Sequence, residues 1–159
     1  MAMKMKKYEE LELRDDFMFS RIMSNPKFVK PLLETILGVK IRKIVYPQTQ
    51  KTIDLSLQGK GIRLDVYVED DQNTVFNLEM QTSDGANLPK RMRYYQGMID
   101  LNILDKGQDY TTLKKSYVIF ICTFDPFGEG RHIYTFCNTC QENTALTLDD
   151  DAVKIILST

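Results

Sequence analysis

From Ser116 to Thr123 the chain reads Ser-Tyr-Val-Ile-Phe-Ile-Cys-Thr, without a charge and without any alternation of apolar and polar residues. A strand with one face in water alternates with a period of two, whereas a strand covered on both faces is apolar throughout. This run therefore belongs in the middle of a sheet that carries packing layers on both sides. The rest of the chain supplies those layers. Helical patterns occupy about 15–24, with Asp15 or Asp16 as cap, a second run after Ser24-Asn25-Pro26 that has Ser24 or Asn25 as cap and ends at Gly38, and about 87–105. Alternating strand patterns fall at about 41–46, 51–57, 61–69, 74–82, 132–137 and 152–157. Two helices, a meander, a crossover helix and a central strand predict an α/β sandwich, a mixed β-sheet flanked by helices.

The 159 residues are 43% hydrophobic and 27% charged, enough for one domain with a proper core. Residues 10–159 are expected to form it, with 1–9 a flexible N-terminal segment. A formal net charge of -1 gives no broad basic surface, so any nucleic-acid contact has to be local. Three cysteines, an odd number, suit a reducing compartment better than a disulfide framework. Cys137 and Cys140 form a C-x-x-C pair, but a zinc site would also need His132 and Cys122, and no second close pair accompanies them. The basic opening Met1-Ala2-Met3-Lys4-Met5-Lys6-Lys7 has no apolar core of a leader and no run of eighteen apolar residues follows, so a cytoplasmic location is expected.

Two neighbouring runs carry the chemistry. In Gly61-Ile62-Arg63-Leu64-Asp65-Val66-Tyr67-Val68 the residues Leu64, Val66 and Val68 alternate onto one side, and in Val75-Phe76-Asn77-Leu78-Glu79-Met80-Gln81 so do Phe76, Leu78 and Met80. Asp65, Glu79 and Gln81 fall on the opposite side. The polar stretch Glu69 to Asn73 reads as a turn, and a hairpin symmetric about Gln72 sets Asp65 opposite Glu79. Side chains so paired lie roughly 5 Å apart at Cβ, where like charges repel unless one carboxyl keeps its proton or a cation lies between them. A divalent metal ion is the natural occupant. The competing reading is that both acids are solvated on the outer face of a ribbon, and a one-residue slip in register would separate them. Tyr67 beside Asp65 weighs against an open face, and Glu79 and Gln81 project together.

These runs resemble the PD-(D/E)XK nuclease superfamily, specifically its branch of recombination-promoting nucleases and transposases. The resemblance extends in order through Arg14-Asp15-Asp16-Phe17-Met18-Phe19, Pro31 to Leu37, Arg91-Met92-Arg93-Tyr94-Tyr95-Gln96 and Ile133-Tyr134-Thr135-Phe136, about residues 10 to 158. It implies a restriction-endonuclease-like fold and a metal-dependent DNA endonuclease. In that reading Asp65 is the principal metal-ligating carboxylate and Glu79 the second, and the Met80 carbonyl completes an oxygen shell suited to Mg²⁺ or Mn²⁺. Glu34, on the second helix, matches an acidic residue that many members use to orient water; its alternative is an ordinary solvated helix glutamate.

Position 81 departs from the family pattern, in which lysine is most common. Glutamine carries no charge and cannot take a proton from water, yet it can hold water or a phosphate oxygen by hydrogen bonds. Arg91 or Arg93 is expected to supply the missing charge. Both lie on a helix where Leu88, Met92, Tyr95, Ile99 and Ile103 recur at helical spacing, with Asn87 as N-cap and Pro89 in the first turn. Lys90, Arg91 and Arg93 are the candidate phosphate contacts, against the reading of a plain solvated surface. The branch usually continues into a helical C-terminal part, with a bearing on DNA binding and oligomerisation. The rival function is a noncatalytic DNA-binding or protein-interaction module built on the same fold; an RNA-directed nuclease would use the same site chemistry.

Overall fold

The computed structural model describes residues 10–53, 61–83 and 87–159. The expected flexible segment 1–9 and the expected strand beyond residue 53 lie outside the described residues.

The first two helices stop and start where local chemistry requires. Helix α1 is Asp16–Met23 and α2 is Pro26–Leu37. Asn25 caps α2 by accepting from the Lys27 N–H at 3.0 Å, and Pro26 stands in the first turn, where its missing N–H would have had no helical partner. Gly38 adopts φ 65° and its N–H closes the helix on the Glu34 carbonyl, a left-handed turn that glycine enters without strain.

Three strands follow as an antiparallel meander: β1 (Ile44–Ile53), β2 (Ile62–Asp70) and β3 (Val75–Gln81). Helix α3 (Leu88–Ile103) then crosses over to β4 (Ser116–Cys122), parallel to β3, and β5 (Ile133–Phe136) and β6 (Ala152–Ser158) complete a sheet of order β1-β2-β3-β4-β6-β5. β4 lies between β3 and β6 and is parallel to both, with Val118, Ile119 and Phe120 fully buried. That position explains its unbroken apolar run. The sequence suggests separate strands at 41–46 and 51–57, but β1 is continuous through Pro47. An edge strand has one side on which a missing N–H sacrifices no ladder bond, so proline does not interrupt it.

The sheet separates two cores. On one face Phe19, Val29 and Leu33 from α1 and α2 pack with Val66, Val68, Phe76, Leu78, Ile119 and Ile155. On the other, Leu88, Met92 and Ile99 of α3 pack with Tyr67, Val75, Val118, Phe120 and Ile156, and Tyr95 and Ile103 join from the rim. Each fully buried side chain of this size contributes about 1.5–3 kcal/mol. α3 also buries Gln96, whose Nε2 donates to the Ser116 Oγ at 2.5 Å and ties the helix to the start of β4. Leu64 departs from expectation. It packs with Ile53, Ile62 and Tyr67 beneath α3, not with Val66 and Val68. The β2–β3 ladder ends at Val66↔Leu78, so at Leu64 the strand no longer has β3 beside it to hold the face that Val66 shares with Leu78.

Candidate active site

The β2–β3 ladder has the register predicted from symmetry about Gln72, running from Glu69↔Val75 to Val66↔Leu78. The next rung belongs to Asp65 and Glu79, and their side chains make it. The Asp65 N–H donates to Glu79 Oε1 at 3.0 Å, and the Met80 N–H donates to Asp65 Oδ2 at 3.2 Å. Each carboxylate thus takes the place of a backbone carbonyl, and the strands part around the pair. A strand residue directs its N–H and C=O to the same edge. The Met80 carbonyl accordingly opens toward the Asp65 side, while the Gln81 carbonyl turns to β4 and accepts from the Thr123 N–H at 3.1 Å.

This gap lies at the wall of a cleft of about 730 Å³ lined by Asp16, Asp65, Glu79, Met80, Lys90 and Arg91, with Arg63, Tyr94 and Tyr95 around them. Its electrostatics are those of acids crowded out of water. Glu79 is only 3% exposed, and burial, with the Asp65 charge second, pushes its carboxyl up to about 8. The Asp65 N–H, the Asn77 amide and Arg91 hold it back. Asp65 is raised too, first by burial and then by Asp16, against the Met80 N–H, Arg63 and Arg91.

Arg91 is half-buried, and it is the cation that answers these acids from α3. Its guanidinium donates to Gln81 Oε1 at 2.6 Å and lies 5.1 Å from the Phe120 ring centre. Gln81 in turn donates from Nε2 to the Ser83 carbonyl at 2.6 Å. Both ends of the Gln81 amide are therefore engaged with protein, and Gln81 does not line the cleft. It braces Arg91.

Of the other residues singled out in the sequence, Lys90 lines the cleft, whereas Arg93 is exposed on α3 and does not. Asn87 stands at the N-cap position but with φ 85° and no side-chain cap bond, because a capping side chain needs an extended backbone; it borders the cleft instead. Glu34 does not reach the cleft. Its Oε1 accepts from the Ile41 N–H at 2.9 Å, fastening the chain that returns from α2. The acid that the helical pair does bring to the cleft is Asp16, at the start of α1. In the sequence Asp16 stands in the Asp15-Asp16 pair, which reads as a helix cap, and in the Arg14–Phe19 stretch of the family resemblance, which assigns it no role.

The donors are suited to a hard cation. A buried carboxylate and a half-buried one with a gap between them, a carbonyl opening into that gap and, among the described residues lining it, no imidazole or thiolate make a set of oxygen donors of the kind that hard divalent cations prefer. Among the described residues no three His, Cys, Asp or Glu side chains form a ready-made cage, so such an ion would use Asp65, Glu79, the Met80 carbonyl and water. Cys122 is buried in β4 while Cys137 is exposed, and the cysteines and His132 form no metal cluster.

A mixed sheet flanked by helices, with paired acids where two neighbouring strands separate, is an α/β fold of the restriction-endonuclease-like kind. The family described as PD-(D/E)XK nuclease family transposase matches residues 13–155, and the chain belongs to that family. A search of curated proteins found no match. Among the described residues no helix is long and apolar enough to cross a membrane.

Proposed function

We propose that this protein is a Mg²⁺- or Mn²⁺-dependent DNA endonuclease that hydrolyses phosphodiester bonds in the service of recombination or of a mobile element. The observation that carries the proposal is the Asp65–Glu79 rung: two acids held side by side by backbone N–H groups, in a cleft with a braced arginine. Such an arrangement is unfavourable for a bare protein and favourable for one that receives a cation.

In this reading Asp65 and Glu79 hold the ion through their carboxylate oxygens, with the Met80 carbonyl as third protein ligand. When bound, the ion lowers the pKa of water, polarises the phosphate and offsets charge that builds on its oxygens. Arg91 stands where it can neutralise a phosphate oxygen, doing from α3 what a lysine at position 81 does in the common pattern. Gln81 fixes the guanidinium rather than meeting the water itself. Asp16 is placed to accept a hydrogen bond from the attacking water, the part that the resemblance gave to Glu34. Lys90 at the cleft and Arg93 outside it grip the DNA backbone.

The test is incubation of supercoiled plasmid with the protein and with Asp65→Ala, in Mg²⁺, in Mn²⁺ and in excess chelator. Metal-dependent nicking that Asp65→Ala abolishes is expected. Equal nicking by both proteins would refute the reading. DNA binding without cleavage in either would favour a noncatalytic DNA-binding module, the alternative supported by the engagement of both ends of Gln81 within the protein.

A further inference from the structure

Asn77 has no exposed surface, and among the described residues neither its Oδ1 nor its Nδ2 makes a hydrogen bond of good geometry. It stands in the middle of β3, paired with Tyr67 across β2 and with Val118 across β4, on the face that α3 covers. An apolar residue would fill that position without leaving amide groups unsatisfied in a low-dielectric core. Something other than packing keeps an amide there. Two residues along the strand, on the same face, is Glu79, and the Asn77 amide lies close enough to favour the ionised form of that carboxyl.

We propose that Asn77 is a positioning residue for Glu79. When a divalent ion binds, the Asn77 N–H donates to the Glu79 oxygen that the Asp65 N–H leaves open, and the carboxylate is fixed between two donors with its outer lone pairs turned to the ion. Metal ligands are commonly oriented by a hydrogen-bonding partner of this kind, whose loss weakens metal affinity about 10- to 100-fold. Asn77 does not touch the ion or the substrate; it acts through Glu79. The inference rests on Glu79 being a metal ligand, as proposed above.

Asn77→Leu separates this role from a structural one, because the two predict opposite changes in stability. A residue retained for the fold would lower the melting temperature when replaced. A residue whose amide is unsatisfied until metal arrives would leave the metal-free protein as stable as before or more so, since leucine fills the same core position. The measurements are Mn²⁺ binding, by calorimetry and by the paramagnetic signal of the free ion, and thermal unfolding in chelator, on wild type, Asn77→Leu, Asn77→Ser and Asp65→Ala. The expected result is a 10- to 100-fold weaker Mn²⁺ dissociation constant in Asn77→Leu, an undiminished melting temperature, and partial recovery of affinity in Asn77→Ser, which keeps a short donor. Unchanged Mn²⁺ affinity in Asn77→Leu, with binding lost in Asp65→Ala, would overturn the role of Asn77 while leaving the metal site standing. Unchanged affinity in Asp65→Ala would overturn the site itself. A melting temperature that falls in Asn77→Leu without loss of affinity would make Asn77 a structural residue and refute the inference.

Discussion

Glu79 ties the stability of the metal-free protein to pH in an unusual direction. Its carboxyl has the ordinary value of 4.5 in the unfolded chain and is pushed up to about 8 in the fold, first by burial and then by the charge of Asp65. Between those values the folded state keeps a proton that the unfolded state has released, so stability is greatest below pH 4.5 and declines as pH rises toward 8. The slope is at most about 1.4 kcal/mol per pH unit, which accumulates to roughly 3 kcal/mol by pH 7. Asp65, also raised, acts with the same sign from a lower starting pH. Glu69 and Asp125, which are lowered, contribute stability that is lost only on acidification below the ordinary carboxyl range, so they do not mask the effect. The perturbation is Glu79→Gln, close in shape and without the titrating group. Urea denaturation in chelator at a series of pH values should show wild type losing roughly 3 kcal/mol between pH 4.5 and pH 7, and Glu79→Gln losing far less. Above pH 7 the variant should be the more stable protein. A wild type whose stability is level across this window, or a Glu79→Gln variant with the wild-type slope, would refute the claim that burial holds this carboxyl protonated.

Gln81 and Arg91 should behave as one unit: Arg91→Ala and Gln81→Ala each reduce cleavage, the arginine change more, and a double-mutant cycle on cleavage rate shows the combined variant losing less than the sum of the two. Asp16→Asn should lower cleavage or metal affinity, whereas Glu34→Gln, at a side chain that accepts from the Ile41 N–H away from the cleft, should alter stability and leave the cleavage rate near wild type. Asn25→Ala should lower stability by about 1 kcal/mol in urea denaturation, through loss of the α2 cap. Leu78→Ala, fully buried under the α1 and α2 layer, should lose about 2–5 kcal/mol in the same assay.

The parts of this molecule that follow from local rules were legible in the sequence. The capped start of α2 at Ser24 or Asn25, its end at Gly38, the central position of β4 and the hairpin register about Gln72 all follow from short-range chemistry or simple periodicity; that Asn25 is the cap is read from the structure. The sequence pattern divides β1 into two runs, whereas the strand is continuous through Pro47, because proline interrupts a strand only where a ladder bond depends on its N–H and edge position is a property of the whole sheet. Strict alternation places Leu64 with Val66 and Val68 because it presumes a neighbour on the β3 side, and that ladder ends at Val66. At the site, the pairing of Asp65 with Glu79 follows from the hairpin alone, whereas Met80 enters only through the family resemblance. Asp16 and the bracing of Arg91 by Gln81 could not, since each joins segments whose separation in the sequence says nothing about their approach in space.

The acids of the site also stand in for two carbonyls of the sheet. The N–H groups of Asp65 and Met80 are held by side-chain oxygens that a cation or a proton would also seek. Any event that draws charge away from those oxygens lengthens two backbone hydrogen bonds, and any event that fixes them shortens both. The amides of Asp65 and Met80 are therefore built-in reporters: their proton chemical shifts and solvent-exchange rates would register occupancy of the cleft directly, without substrate and without a label.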